Sequence, residues 1–238
     1  MPIFRKVWAV YAVLLFLLLM TLSLPVIGFN MLATPGPKAL RRNIGYLHHV
    51  FSPFFFTLIG VFIQVKGREK LRKGQSYVIV GNHRSSLDFI ADAMAFPGVF
   101  RFLAKEELLK IPVFGWIVGK MCLIVDRRSA MSRARSVVAL KQQLAEGWSI
   151  FIFPEGSRNQ TGEALAPFYD GAFRIAIQTK APVAVLTLTN VHRLCWGYNL
   201  QPGILRLVWD EPIPTANLSA NDIPVLKQRV QQSMLQHF

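Results

Sequence analysis

The stretch YVIVGNHRSSLDF, residues Tyr77–Phe89, decides the fold of this 238-residue chain. It begins with a short apolar run rich in β-branched residues, which is typical of a buried strand, and continues through a polar loop into a helical segment. Three further runs of the same kind follow along the chain: SIFIF (149–153), PVAVLTL (182–188) and ILRLVW (204–209). Helical stretches lie between such runs, so the order of elements predicts an α/β fold with a mostly parallel sheet covered by helices.

The loop after the first strand lies where parallel-sheet proteins usually carry their chemistry. It contains His83, and a carboxylate, Asp88, follows five residues later. A carboxylate on one imidazole nitrogen sets the tautomer and leaves the other nitrogen free to take a proton from a hydroxyl. Ser85 or Ser86 can cap the helix that starts between them. Taken alone, this pair fits a structural hydrogen bond at least as well.

A second polar loop follows the strand SIFIF and has the sequence FPEGSRN, Phe153–Asn159. Pro154 and Gly156 predict a tight turn that holds Glu155 and Arg158 at the strand tip. A glycine allows a ligand to approach the backbone closely, and an arginine offers a planar fork for phosphate. Two such loops in one parallel sheet favour a functional site over a charged surface turn.

The longest apolar run, Val7–Phe29, contains no charged residue. As a helix it rises about 35 Å, enough to cross a hydrocarbon layer of about 30 Å with some tilt. A cleaved signal peptide is the alternative, but the run is longer than the usual apolar core of such a peptide and no cleavage site follows directly. A second apolar stretch, Val50–Val65, fits a short or re-entrant membrane helix or a core helix.

The charge is concentrated beside these apolar segments. The chain has a net charge of +14 although 52% of its residues are hydrophobic. The segment KGREKLRK, Lys66–Lys73, has five basic residues in eight and is typical of a site that binds anionic lipid head groups on the cytoplasmic face. Nucleic-acid binding is disfavoured, because the phenylalanines lie largely in apolar runs rather than on a basic face.

These observations predict two parts: a membrane-anchoring segment of two helices, residues 1–65, and an α/β domain, residues 66–238. The two cysteines, Cys122 and Cys195, cannot form a disulfide framework and give no support to an oxidising compartment. We therefore expect a membrane-bound protein whose globular domain lies on the cytoplasmic face.

The motifs of the globular domain resemble those of the glycerolipid acyltransferases of the 1-acylglycerol-3-phosphate (lysophosphatidic acid) type. That family shares Asn-His, four variable residues and Asp, here NHRSSLD, and a block of the type Phe-Pro-Glu-Gly-Thr-Arg-Ser, here FPEGSRN. The other matching blocks stand in the family's order: KEELLKIPVFGW (105–116), GKMCLIVDRR (119–128) and APVAVLTL (181–188). The resemblance covers roughly Lys66–Asp210.

The resemblance implies a role for each matching residue. His83 is similar to the general base that deprotonates the acceptor hydroxyl, and Asp88 to the group that orients it. The positions similar to those that bind the acceptor's glycerol phosphate are Glu155, Gly156, Arg158, Arg127 and Lys105. One departure concerns the acceptor, since Tyr169 and Asp170 stand where many members have a basic pair. We predict no cofactor and no metal ion.

The predicted function is transfer of a fatty acyl chain from acyl-CoA or acyl-carrier protein to the 2-hydroxyl of lysophosphatidic acid. The product is phosphatidic acid, a step of phospholipid biosynthesis. The predicted partners are the acyl donor, lysophosphatidic acid and anionic membrane lipids, without nucleic acid. One alternative keeps the chemistry with glycerol 3-phosphate, another lysophospholipid or a lyso-aminolipid as acceptor. Another is a non-catalytic membrane adaptor that binds anionic lipid.

Overall fold

A seven-stranded sheet lies at the centre of the computed structural model, which describes residues 2–34, 36–125 and 130–238. Its strands are β1 (Val61–Lys66), β2 (Val78–Gly81), β3 (Phe100–Lys105), β4 (Leu123–Val125), β5 (Ser149–Ile152), β6 (Val183–Leu188) and β9 (Gly203–Trp209). The two remaining strands, β7 (Cys195–Trp196) and β8 (Asn199–Leu200), pair with each other in a separate hairpin. The strand order in the sheet is β1-β9-β6-β2-β5-β3-β4.

Most of the strand pairs are parallel. Strand β2 lies between β5 and β6, and both pairs are parallel, as are the pairs that β3 forms with β5 and β4. The pair β6–β9 is antiparallel, so β9 and its parallel neighbour β1 run against the other strands. The predicted α/β class with a mostly parallel sheet is confirmed.

Helices cover both faces of the sheet. They are α1 (Pro2–Ala33), α2 (Pro37–Tyr46), α3 (Ser52–Leu58), α4 (Asp88–Ala95), α5 (Phe114–Met121), α6 (Ala130–Ala145), α7 (Gly171–Thr179), the short α8 (Val191–Leu194) and α9 (Ile223–Leu235). Side chains of β2 alternate between two cores, with Ile79 in the core beneath the N-terminal helices and Val78 and Val80 in the core beneath α6, α7 and α9. The sheet is therefore buried on both faces, which explains its nearly continuous apolar strands.

The N-terminal helices form a hairpin. A single π-helical turn, Leu47–Phe51, joins α2 to α3, so that a second helical stretch runs back along α1. Two polar contacts join the arms: the buried Asn30 Nδ2 donates to Asn43 Oδ1 at 2.8 Å, and the hydroxyls of Ser23 and Tyr46 lie 2.9 Å apart. An N-terminal apolar helix before the sheet is thus confirmed, but the second arm of the hairpin consists of α2, the π-helical turn and α3 and not of one helix over Val50–Val65.

Helix α1 keeps most of its apolar surface exposed. Residues Ile3–Ala33 have a mean hydropathy of 2.5 over their most apolar window, of which only 22% is buried. The helix is long and apolar enough to cross a membrane. Its exposed face carries large apolar side chains such as Leu14, Leu18 and Leu22. A helix that belonged only to a soluble core would bury such a face, so α1 fits association with a membrane.

The second apolar stretch, Val50–Val65, is not one helix. Its first part completes the helical hairpin, but α3 ends at Leu58 and β1 begins at Val61 after Gly60, whose φ is +68°. A short apolar run has no periodicity that separates a helix from a buried strand, and here the pairing of β1 with β9 decides. The domain boundary predicted after residue 65 falls within β1, and the anchoring role of residues 1–65 stays a prediction.

We expect the turn after β1 to be sensitive to any side chain at Gly67. This glycine has a φ of +77°, and an added Cβ would lie 2.2 Å from the Trp209 carbonyl oxygen, which also accepts a bond from Lys70 Nζ. Replacement Gly67→Ala should lower the free energy of unfolding by about 3 kcal/mol, because positive-φ strain adds to the displacement of β9. Thermal unfolding in detergent measures the loss.

Gly74→Ala is the matched control. Its φ of +78° carries the same backbone strain, but nothing lies within 4 Å of the added Cβ. It should cost about 1 kcal/mol. Equal losses for the two variants would contradict the steric argument.

Candidate active site

Three neighbouring parallel strands, β2, β5 and β3, end at one edge of the sheet. The His83 loop follows β2, the Phe153–Asn159 loop follows β5, and Lys105 is the last residue of β3. The sheet therefore brings together segments that are far apart in the sequence, as expected for the carboxyl edge of parallel strands. Of the sequence-predicted site residues, Arg127 lies outside the described residues.

His83 and Asp88 form a hydrogen-bonded pair. The imidazole Nδ1 lies 3.0 Å from Asp88 Oδ2, the Asp88 side chain is fully buried, and the His83 side chain is 20% exposed. The same carboxylate oxygen accepts bonds from the backbone N–H groups of Arg84 at 2.6 Å and Ser85 at 2.8 Å. A carboxylate held in this way requires the proton on Nδ1, so Nε2 keeps its lone pair and can accept a proton.

Glu155 ties the two loops together from inside the protein. Its Oε1 accepts a bond from the backbone N–H of His83 at 2.8 Å, and its Oε2 accepts one from Ala166 at 3.1 Å. Burial raises the pKa of Glu155, while these two hydrogen bonds oppose the shift. Asn159 adds another bond between the two loops, since its N–H donates to the His83 carbonyl at 2.6 Å. Glu155 thus acts as a scaffold for the loops in this structure.

The remaining predicted residues surround the opening of the site. Gly156 has a φ of +71°, and its N–H closes the turn onto the Phe153 carbonyl at 3.1 Å. Arg158 is exposed and donates from Nη1 to Ser86 Oγ at 2.9 Å, and Lys105 is also exposed. These cationic groups stand at the same edge as His83, where they can meet an anionic ligand.

The two serines of the loop differ from the expected caps. Ser85 Oγ accepts the N–H of Leu87 at 3.1 Å just before α4 begins, which is close to the predicted role. Ser86 instead accepts the bond from Arg158 and so joins the two loops. Helix α4 has no side-chain cap, because its first residue, Asp88, is turned back toward the loop.

Three residues at the site were not singled out from the sequence. The ring of Phe153 stacks on His83 with centroids 4.0 Å apart and an interplanar angle of 18°. Asn82 is buried and bonds both backbone groups of Leu188, at 3.0 Å and 2.8 Å, which ties the loop to β6. Asn82 is the first residue of the motif NHRSSLD, which could have indicated its role. No sequence pattern indicates that Phe153 stacks on His83.

Asp92 is the third of these residues and lies one helical turn after Asp88 on α4. It is fully buried, and neither of its carboxyl oxygens has a partner among the described residues. Burial, and then the negative charge of Asp88, raise its pKa well above the ordinary value. The buried Asp92 carboxyl therefore favours its neutral form more than an exposed aspartate does.

The buried cysteine, Cys122, has no part in this constellation. Burial raises the pKa of its thiol to about 12, so the reactive thiolate is absent at neutral pH. Among the described residues, no group of three or more His, Cys, Asp or Glu side chains is placed to hold a metal ion.

The geometry agrees with a comparison to known families. Residues 62–189 match the family model described as Acyltransferase, a range that contains both loops and more than half of the chain. The chain is also 30% identical over 234 residues to human 1-acyl-sn-glycerol-3-phosphate acyltransferase alpha, covering 93% of this chain and 77% of that protein. The chain belongs to the 1-acylglycerol-3-phosphate acyltransferase family.

Two further similarities extend the comparison. The acyltransferase is 36% identical over 136 residues to 1-acyl-sn-glycerol-3-phosphate acyltransferase of Borreliella burgdorferi, covering 57% of this chain and 54% of that protein. The crystal structure of the 1-acyl-sn-glycerophosphate acyltransferase PlsC from Thermotoga maritima has the same fold. Its TM-score is 0.80 at 23% identity, with 98% of this chain and 95% of that chain covered.

We expect Asp88→Asn to separate folding from activity. An amide oxygen can still accept the N–H groups of Arg84 and Ser85, but it carries no charge to stabilise a protonated His83. The kcat of the acyltransferase should fall about 10²- to 10⁴-fold, while the melting temperature changes by a few degrees at most. Steady-state kinetics and thermal unfolding of the purified variant measure the two effects.

Asp210→Asn is the matched control. Asp210 also pairs with a histidine, His237, at 2.9 Å, but it follows β9 at the opposite edge of the sheet. That variant should keep normal activity. Normal activity of Asp88→Asn would show that the charge of Asp88 is unnecessary.

Proposed function

We propose that the acyltransferase moves a fatty acyl chain from a thioester to the 2-hydroxyl of lysophosphatidic acid and so forms phosphatidic acid. The observation that carries the proposal is the His83–Asp88 pair, with its free Nε2 at the carboxyl edge of the sheet. The printed names of the relatives supply the acceptor class. Lysophosphatidic acid has a free hydroxyl from which His83 can take a proton. It also has a phosphate that the cationic side chains at the opening of the site, Arg158 and Lys105, can bind.

The chemistry follows from the position of the imidazole. Nε2 of His83 takes the proton of the acceptor hydroxyl as its oxygen attacks the thioester carbonyl. The tetrahedral intermediate then collapses, the C–S bond breaks, and the imidazolium returns the proton to the departing thiolate. Asp88 stabilises the imidazolium throughout. No acyl-enzyme is needed, which fits the unreactive thiol of Cys122.

The cationic residues at the opening suit the acceptor's phosphate. Arg158 presents a guanidinium beside the His83 loop, Lys105 lies at the end of β3, and Arg127 belongs to the same proposed set. Gly156 lets the phosphate approach the turn backbone, and Glu155 holds that turn against the catalytic loop. A guanidinium is well suited to such a phosphate because it can donate two parallel hydrogen bonds.

A small apolar cavity lies beneath the N-terminal helices. It has a volume of about 50 Å³ and is lined by residues of α1, α2, α4 and α5 and of the sheet. Phe89 lies on its wall and contacts Phe102 with centroids 4.1 Å apart, and Phe102 neighbours Phe153 at 6.3 Å. Because Phe153 stacks on His83, packed aromatic rings extend from the cavity wall to the base. We propose that the fatty chain of one substrate lies against this apolar side of the site.

The membrane segment brings the enzyme to its lipid substrate. We propose that residues 1–65 anchor the protein as a helical hairpin and that the domain of residues 66–238 lies on the cytoplasmic face. Lys66–Lys73 would then bind anionic lipids at the surface. A domain on this face has direct access to acyl-CoA or acyl-carrier protein, the two proposed donors in phospholipid biosynthesis.

Replacing His83 tests the mechanism. We expect His83→Ala to reduce kcat with acyl thioester and lysophosphatidic acid about 10²- to 10⁴-fold, because general-base assistance is lost. Transfer of labelled acyl chain by the purified enzyme measures it. His237→Ala removes another aspartate-paired histidine, remote from the site, and should retain full activity. Full activity in His83→Ala would overturn the mechanism.

Replacing Arg158 tests recognition of the acceptor. We expect Arg158→Gln to raise KM for lysophosphatidic acid about tenfold or more with little change in kcat, since a charged hydrogen bond to the phosphate is lost. With 1-acylglycerol, which lacks the phosphate, wild type and variant should have the same kinetics. Equal losses for both acceptors would assign Arg158 to loop structure and not to phosphate binding.

A further inference from the structure

The hairpin of β7 and β8, Cys195–Leu200, exposes two large aromatic side chains at its tip. The exposed fraction is 44% for Trp196 and 90% for Tyr198, and Gly197 between them has a φ of +60° that forms the turn. Tryptophan and tyrosine have an apolar ring and a polar edge, and both are enriched where lipid meets water. Their exposure side by side on a tight hairpin therefore indicates an interfacial element.

The hairpin adjoins the apolar helix α1. Strand β8 packs against this helix, and the N–H of Gly203, just after β8, donates to the Gly60 carbonyl at 2.9 Å. The same α3–β1 turn receives the N-terminal part of α1, since Trp8 Nε1 donates to the Ile59 carbonyl at 3.0 Å. The base of the hairpin and the N-terminal part of α1 therefore meet at the α3–β1 turn.

An aromatic row on α1 continues this surface. Phe4 and Trp8 have ring centroids 5.5 Å apart, and Trp8 and Tyr11 have centroids 5.1 Å apart. Tyr11 also donates to the Leu58 carbonyl at 3.3 Å, beside the residue that Trp8 contacts. Three aromatic rings of α1 therefore lie beside the turn that the chain following β8 also contacts, and aromatic residues of this kind are typical of a membrane surface.

Positive charge surrounds the hairpin. The Arg84 guanidinium lies 5.8 Å from the centre of the Trp196 ring. Burial, and then the positive charges of Arg84 and Arg193, lower the pKa of His192, so the two guanidinium groups lie near this imidazole and supply the positive charge here. Basic residues beside interfacial aromatics are complementary to anionic phospholipid head groups.

The hairpin also contacts the catalytic loop. Arg84 immediately follows His83, and its backbone N–H donates to Asp88 at 2.6 Å. Cys195, at the start of the hairpin, lies near the side chain of Ser85, and the backbone N–H of Ser85 donates to the same aspartate. The depth at which the hairpin lies in a membrane therefore sets the depth of the His83 loop.

We propose that the Cys195–Leu200 hairpin is a second membrane-docking element, which inserts Trp196 and Tyr198 at the lipid–water interface of an anionic bilayer while Arg84 and Arg193 bind head-group phosphates. The His83 loop then lies at head-group depth, where the hydroxyl of a lysophospholipid is found. This inference rests on the proposed membrane association and on the proposed lipid acceptor.

Fluorescence quenching by brominated phosphatidylglycerol tests the docking directly. Wild type, Trp196→Phe and Trp8→Phe are reconstituted into vesicles of brominated and ordinary lipid. The quenched emission that each substitution removes belongs to that tryptophan. We expect both variants to lose a quenched component, because both rings lie at the interface.

The two tryptophans distinguish the possible failures. If Trp8 is quenched and Trp196 is not, the hairpin does not dock and this inference is overturned, while membrane association by α1 stands. If neither tryptophan is quenched, membrane association itself fails, and the inference fails with it.

Activity with two forms of the acceptor tests the functional consequence. The double variant Trp196→Ser with Tyr198→Ser should lower kcat/KM for vesicle-embedded lysophosphatidic acid about tenfold. With a short-chain acceptor that is monomeric in water, its kcat/KM should stay within about twofold of the wild type. Equal loss with both acceptors would assign the hairpin to support of the catalytic loop, and no loss with either would also overturn docking.

Matched controls separate docking from the loss of exposed apolar surface in general. Leu235→Ser with Phe238→Ser removes two exposed apolar side chains on and just after α9, which covers the opposite face of the sheet. This variant should behave as the wild type in both assays. Arg193→Gln should reduce the gain in activity from anionic over neutral vesicles about fivefold, since one basic residue is lost.

Discussion

The carboxylate of Asp88 is the interaction on which the site depends. One buried oxygen receives the imidazole of His83 and the backbone N–H groups of Arg84 and Ser85. A buried carboxylate is costly to desolvate and is stable only when donors surround it, so this loop has little freedom to rearrange. The tautomer of His83 follows from the same bond. The Asp88 carboxylate at the start of α4 therefore fixes both the conformation of the loop and the tautomer of His83.

Glu155 extends this constraint to the second loop. Its two oxygens bind the backbone of His83 and of Ala166, and the ring of Phe153 packs on the imidazole. The loop that carries Arg158 is thus held in a fixed position relative to the loop that carries His83. Such positioning matters because acyl transfer needs the hydroxyl, the base and the thioester within contact distance of one another.

The two faces of the sheet are covered by different helices and differ in their surroundings. One face is closed by α6, α7 and α9 and is an ordinary soluble core. The other is covered by the N-terminal hairpin, whose outer surface remains apolar and exposed. In the sequence, the basic excess of the first part of the chain flanks the apolar segments. This distribution explains how a chain can be both strongly basic and unusually hydrophobic.

The amino-acid sequence alone determined the α/β class, the long apolar helix and the two loops around His83 and Glu155. Strand and helix patterns are local, and the motifs lie within seven residues each, so short-range information is enough. Tertiary structure decided that Val61–Lys66 is a strand, because only pairing with β9 distinguishes it from the end of an apolar helix. It also decided the stacking of Phe153, the burial of Asp92 and the approach of Trp196 to Arg84. Such contacts depend on which side chains meet when distant segments pack, and no local pattern records them.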